Sequence, residues 1–174
     1  MDAADRIKAA IRDVPDFPEP GVVFKDITPV LSAPELFRDA IDLFAERHTG
    51  SGIDKIVGID ARGFIFAAAL SDRLGIGFIP VRKMGKLPCE TYEQSYDLEY
   101  GSATLTMHKD AVRDGERVLL IDDLLATGGT ASASATLLET AGAELHEIDF
   151  LVELTYLGGR HKLSGYSIYA PIRY

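Results

Sequence analysis

Cysteine is almost missing: Cys89 is the single one in 174 residues. That excludes an internal disulfide framework and a zinc site built from cysteines, and it suits a reducing compartment. The four histidines, His48, His108, His146 and His161, are scattered without ligand spacing, so no zinc site is expected from them. Positive charge is also short. The formal net charge of −9 opposes the counterion-release attraction on which non-specific DNA binding depends, so nucleic acid is not an expected partner. Long apolar runs are lacking too, since the longest, Gly63 to Leu70, falls far below the roughly 20 residues that cross a bilayer. Met1 to Arg12 mixes Asp2, Asp5, Arg6 and Lys8 with alanines and has no apolar export core. A cytoplasmic protein with no membrane partner is the expectation. Internal repeats and low-complexity tracts are likewise missing.

What is present fits one ordinary globular domain, 1–174, whose 47% hydrophobic and 26% charged residues should bury about 70% of the unfolded surface. Strand and helix signals alternate. Lys55 to Ile59 reads as a short buried strand, Gly63 to Leu74 as an alanine-rich helix, and Gly77 to Val81 as a second strand. Arg117 to Ile121 is a third strand, entered through the turn Arg113-Asp114-Gly115-Glu116. A helix from about Thr130 to Ala141 and a strand from about Glu147 to Leu154 follow. This order predicts an α/β fold with a central parallel sheet flanked by helices. Upstream, Leu36, Phe37, Ala40, Ile41 and Phe44 share one face of a helix over Pro34 to His48, with proline in its first turn. Val14 to Ile27, with Pro15, Pro18, Pro20 and Gly21, predicts an irregular segment, part of a small N-terminal hood over residues 1–30.

Lys83 to Leu98 is polar, lacks a helical period and is too long for an ordinary connection, which predicts a flexible lid loop over 83–98. Beyond it Ala103, Leu105 and Met107 alternate with Thr104, Thr106 and His108. That pattern predicts an antiparallel strand with one wet face, carrying the lid on an extension of the sheet.

The chemistry concentrates after the third strand. Asp122 and Asp123 are expected at the carboxyl end of a parallel strand, where open α/β sheets place their ligands, and adjacent carboxylates can accept hydrogen bonds from the two hydroxyls of a ribose. Ala126, Thr127, Gly128, Gly129 and Thr130 then offer backbone N–H groups and hydroxyls at a helix N-terminus, where orphan donors and the helix dipole attract a phosphate dianion. Gly128 and Gly129 let the backbone curl. The loop lacks both the Lys-Ser/Thr ending of a Walker A motif and the spaced glycines of a dinucleotide fold.

Ile121-Asp122-Asp123-Leu124-Leu125-Ala126-Thr127-Gly128-Gly129-Thr130 closely resembles the phosphoribosyl pyrophosphate (PRPP) signature of the type I phosphoribosyltransferases, in the wording of their adenine-specific branch. Pro18 to Ile27, Gly58 to Phe64, Arg82 to Pro88 and Leu98-Glu99-Tyr100-Gly101 extend the resemblance over about Phe17 to Leu154. It implies that fold and the conversion of adenine and PRPP to AMP and pyrophosphate in purine salvage. Magnesium is implied to arrive with PRPP rather than in a protein cage, and a homodimer is implied. For the residues it implies Asp122 and Asp123 on the ribose and Ala126 to Thr130 on the 5′-phosphate. Arg62, Lys83, Lys86 and Arg82 would meet pyrophosphate, Arg82 in its own or the neighbouring subunit. Glu99 would act in proton transfer at the purine N7, and Val23, Phe24, Lys25 and Leu124 would hold adenine. Lys25 stands where relatives often carry arginine. The plain alternative for Arg62 is an ion pair with Asp60. Other readings are a phosphoribosyltransferase for hypoxanthine, guanine or xanthine, and a PRPP-sensing regulator without catalysis.

Overall fold

The computed structural model describes residues 1–98 and 101–174. The chain divides into two compact units, Met1–Arg47 and His48–Tyr174.

In the first unit, helix α1 (Ala3–Ala10) is capped by Asp2, whose carboxylate accepts from the Asp5 N–H at 2.8 Å. The stretch expected to be irregular instead contains two short strands, β1 (Arg12–Pro15) and β2 (Val23–Asp26), paired antiparallel with Arg12 opposite Asp26 and Asp13 opposite Lys25. The prolines do not prevent this. Pro15 closes its strand, and Pro18 and Pro20 fall in the connection. Arg12 bonds Asp26 across the pair at 2.6 Å, and Lys25 reaches Asp13 at 2.6 Å. Helix α2 (Thr28–Ser32) follows, then α3 (Pro34–His48), with Ala40, Ile41 and Phe44 buried as their spacing predicts.

The second unit is built on one eight-stranded sheet. Its strands are β3 (Lys55–Ile59), β4 (Gly77–Lys83), β5 (Thr91–Asp97), β6 (Ser102–His108), β7 (Arg117–Leu125), β8 (Glu144–Glu153), β9 (Ile168–Tyr169) and β10 (Ile172–Arg173), in the order β10-β8-β7-β3-β4-β6-β5 with β9 beside β8. Every pairing from β4 across to β10 is parallel, and β6 and β5 add an antiparallel extension. Helices α4 (Arg62–Leu74) and α5 (Gly129–Thr140) cover it. Val57, Ile59, Val118, Leu120, Ile148 and Phe150 share a buried cluster with Ala131, Ala135 and Leu138 of α5. The intervening residues turn toward α4. There Gly58 lets the helix approach, because a Cβ on it would stand 2.8 Å from the Cβ of Ala67 and 2.8 Å from the Phe78 ring. No helix among the described residues is long and apolar enough to cross a membrane.

Three expectations need revising. Most of the proposed lid is strand, since Thr91 to Asp97 pair residue by residue with Ser102 to His108, leaving about Met84 to Glu90 as the connection. The β6 face is not wet at Thr106, which is 2% exposed and donates its hydroxyl to the Arg82 carbonyl at 3.0 Å. The strand expected to stop at Ile121 runs on to Leu125, so Asp122 and Asp123 lie within it, Asp122 opposite Phe150 of β8.

Replacing Gly58 with alanine should overpack the α4 contact and destabilise the fold by about 1–3 kcal/mol. Chemical denaturation checks this, with an unchanged midpoint as the contrary result.

Candidate active site

The site elements converge at the carboxyl ends of β3 and β7. Helix α4 begins immediately after β3, so Arg62 sits in its first turn, and Gly63 lets that turn abut β7. A Cβ on Gly63 would come 2.8 Å from the Ile121 carbonyl oxygen and 2.9 Å from Asp122 Oδ1. Arg62 Nε thereby stands 2.9 Å from Asp123 Oδ2. The oxygen lies off the line of an N–H and accepts no hydrogen bond among the described residues, so the attraction is one of charge. Asp60, the expected alternative partner, is taken by Arg82, whose Nε donates to Asp60 Oδ2 at 2.8 Å. The Arg82 guanidinium also lies 5.9 Å from the centroid of the Phe64 ring and donates to the Lys86 carbonyl at 3.3 Å. Arg62 and Arg82 are thus both held by carboxylates at neighbouring strand ends.

The twin acids are costly to ionise together. Burial pushes the Asp122 carboxyl well above the ordinary carboxylate range, and the adjacent charge of Asp123 pushes it further. Asp123, 3% exposed, is also raised by burial, with Arg62 opposing. The Asp123 N–H donates to Asp122 Oδ1 at 2.9 Å and fixes that carboxylate.

Beyond β7 the chain enters the loop that the sequence singles out. Gly128 is the residue before α5, in the left-handed region at φ 82°, and no side chain caps the helix. Its first N–H groups are therefore left to a ligand or water. Asp122, Leu124, Ala126, Thr127, Gly128, Gly129 and Thr130 line one cavity of about 90 Å³. Thr130 donates its hydroxyl to Tyr96 of β5 at 3.2 Å.

Sequence reasoning overlooks the support behind this loop. Gly159, in a 3₁₀ turn over Gly159–Leu163, presses its backbone against the loop. A Cβ on Gly128 would lie 2.5 Å from the Gly159 carbonyl oxygen, and one on Gly159 would collide with the Ala126 carbonyl oxygen. The Gly158-Gly159 doublet after a buried strand was the available signal.

The remaining expected residues are distributed differently. Lys83 ends β4, and Lys86 lies in the turn after it, both exposed. Val23, Phe24 and Lys25 lie in the first unit on β2. There Val23 is 43% exposed, the Phe24 ring meets Phe17 edge-on at 5.3 Å, and Lys25 is buried. Glu99 lies outside the described residues. Contrary to the scattered reading of the histidines, His48, His146 and Glu147 bring potential ligand atoms within 4.8 Å of one another. His48 Nε2 is already 2.6 Å from Asp149 Oδ2, which makes this a buried, hydrogen-bonded pair between the last residue of α3 and β8.

A carboxyl whose native pKa exceeds its ordinary value of 3.8 holds its proton more tightly folded than unfolded, so stability falls as pH rises between the two values. Asp122→Asn keeps the acceptor for the Asp123 N–H and removes the charge. It should raise Tm at neutral pH by about 2–4 °C, the change that about 1 kcal/mol makes in a chain of this length. The gain should shrink as pH falls through the raised Asp122 value. Melting curves of both proteins across pH check the sign.

Known proteins place this geometry. Residues 26–162 match the family model described as phosphoribosyl transferase domain. Adenine phosphoribosyltransferase of Roseiflexus castenholzii is 54% identical over 164 residues, covering 94% of this chain and 95% of its own. The crystal structure of adenine phosphoribosyltransferase from Thermoanaerobacter pseudethanolicus superposes with a TM-score of 0.95 at 52% identity, over 98% of this chain and 99% of that one. The enzyme from Saccharomyces cerevisiae, solved with adenine and an imino-altritol bisphosphate, gives 0.93 at 40% identity, over 97% and 98%. With twin acids in a parallel strand, an uncapped glycine loop behind them and an arginine across from them, the chain belongs to the phosphoribosyl transferase family, in its adenine phosphoribosyltransferase branch.

Proposed function

We propose that the chain transfers the 5-phosphoribosyl group of PRPP to adenine, giving AMP and pyrophosphate in purine salvage, at the β7–α5 site. One observation carries the reading: Asp122 of β7 and the uncapped N-terminus of α5 line a single cavity, and the adjoining Asp123 has a guanidinium beside it. A ribose 5-phosphate needs that set of groups, acceptors for a diol and donors for a dianion.

In this reading Asp122 and Asp123 accept hydrogen bonds from the ribose hydroxyls, while Ala126 to Thr130 hold the 5′-phosphate. The reacting carbon gains positive charge as its bond to pyrophosphate breaks, and the two neighbouring carboxylates stabilise that charge. Arg62 leaves Asp123 to meet pyrophosphate, assisted by Lys83 and Lys86, and Arg82 does so by leaving Asp60 for its own or a neighbouring site. The base contacts implied by the resemblance are Leu124, Val23, Phe24 and Lys25. Glu99 moves the proton at N7. Magnesium fits the donor set, since the carboxylates are hard oxygen ligands and Asp123 Oδ2 is buried without a hydrogen bond among the described residues. Bound with PRPP, the ion would neutralise charge on the departing pyrophosphate. The working form is proposed to be a cytoplasmic homodimer.

Purified protein supplied with magnesium, PRPP and one base at a time should release pyrophosphate with adenine and not with hypoxanthine or guanine. Turnover of either of those bases at a comparable rate would replace the adenine reading. Glu99→Gln should lower kcat by about 10²–10⁴, the usual contribution of a positioned proton donor, while leaving KM for PRPP nearly unchanged. Equal losses in both would remove the proton-transfer role.

A further inference from the structure

The loop proposed to hold the 5′-phosphate, Ala126 to Thr130, contains no cation of its own. We propose that Lys162, which is 32 residues beyond Thr130 in the chain, supplies it. The proposal rests on the reading of that loop as the 5′-phosphate site.

The 3₁₀ turn that carries Lys162 is fixed at three points. Gly159 presses its backbone against the loop at Gly128 and Ala126. Arg160 donates twice to buried Glu153, at 2.7 and 2.8 Å. Leu163 is 1% exposed in the core. Among the charged heads in this turn, Arg160 is committed to Glu153. Lys162 has no carboxylate within 4 Å among the described residues. Its Nζ stands 3.9 Å from the position that a Cβ on Gly129 would occupy, directly over the first residue of α5. Thr127, Gly129, Thr130, Tyr96 and Lys162 line a cavity of about 540 Å³ there, which the exposed carboxylate of Asp97 also borders.

An ammonium at a helix N-terminus repels the helix dipole when the space between them is empty, and both attract an anion placed between them. A lysine on a flexible stem acts on phosphate as a point charge. Lys162 thus takes the part that a Walker lysine plays from within its own loop, but reaches in from a separate segment whose backbone already touches the loop. It reads the phosphate of the sugar end and leaves base and pyrophosphate to other groups.

The test is calorimetric binding of AMP and of magnesium pyrophosphate to wild type, Lys162→Met and Lys162→Arg, with steady-state kinetics. Loss of one charge-assisted contact to phosphate should raise the Kd for AMP and the KM for PRPP about tenfold or more in Lys162→Met. Pyrophosphate affinity, the KM for adenine and Tm should stay near wild type, and Lys162→Arg should recover most of the loss. Wild-type AMP affinity in Lys162→Met overturns the proposal, as does an equal loss for AMP and pyrophosphate. A wild-type protein that fails to bind AMP instead removes the reading of the loop itself.

Discussion

Two carboxylates side by side in a buried strand repel each other and forfeit hydration, and the geometry at this end of the sheet answers that problem. Asp122 and Asp123 stay in place because the ladder to β8 continues through them, the Asp123 N–H holds Asp122 Oδ1, and Arg62 lies against Asp123. Each of these depends on another contact. Arg62 arrives only because α4 starts directly off β3, and α4 can lie that close only because Gly58 and Gly63 have no side chains. A fold that merely needed a stable core would replace such a pair with apolar residues. The ribose proposed to bind there would offset the repulsion.

The arginines extend the same logic. Arg62 and Arg82 are each paired with a carboxylate from a nearby strand end. The proposed polyanion binding would be an exchange of partners. In the proposed reaction it would free Asp123 for a ribose hydroxyl while it occupies the guanidinium groups, which would couple the two ends of a molecule that carries both.

Much of this was readable from the chain because its signals are local. The βα alternation, the helix over Pro34–His48 and the glycine loop each show in a window of a few residues. The misses have physical reasons. Asp122 and Asp123 look like a strand end, yet backbone pairing is indifferent to side-chain charge and continues to Leu125. The polar stretch Thr91–Asp97 shows no helical period, but Tyr92 and Tyr96 alternate toward the core at a strand's period of two. Thr106 seemed wet because its hydroxyl partner is a carbonyl on another strand. The exchange of partners that gives Asp60 to Arg82 and Asp123 to Arg62 is a tertiary fact, and no window around any of the four residues contains it.

The facing glycines at and behind the Ala126–Thr130 loop carry an evolutionary consequence. A methyl group added to Gly128 or to Gly159 would need room that the other segment's main chain already fills. A larger residue at one place cannot be absorbed by trimming its neighbour, since there is nothing left to trim. Drift in this part of the molecule must therefore shift both segments together or not at all.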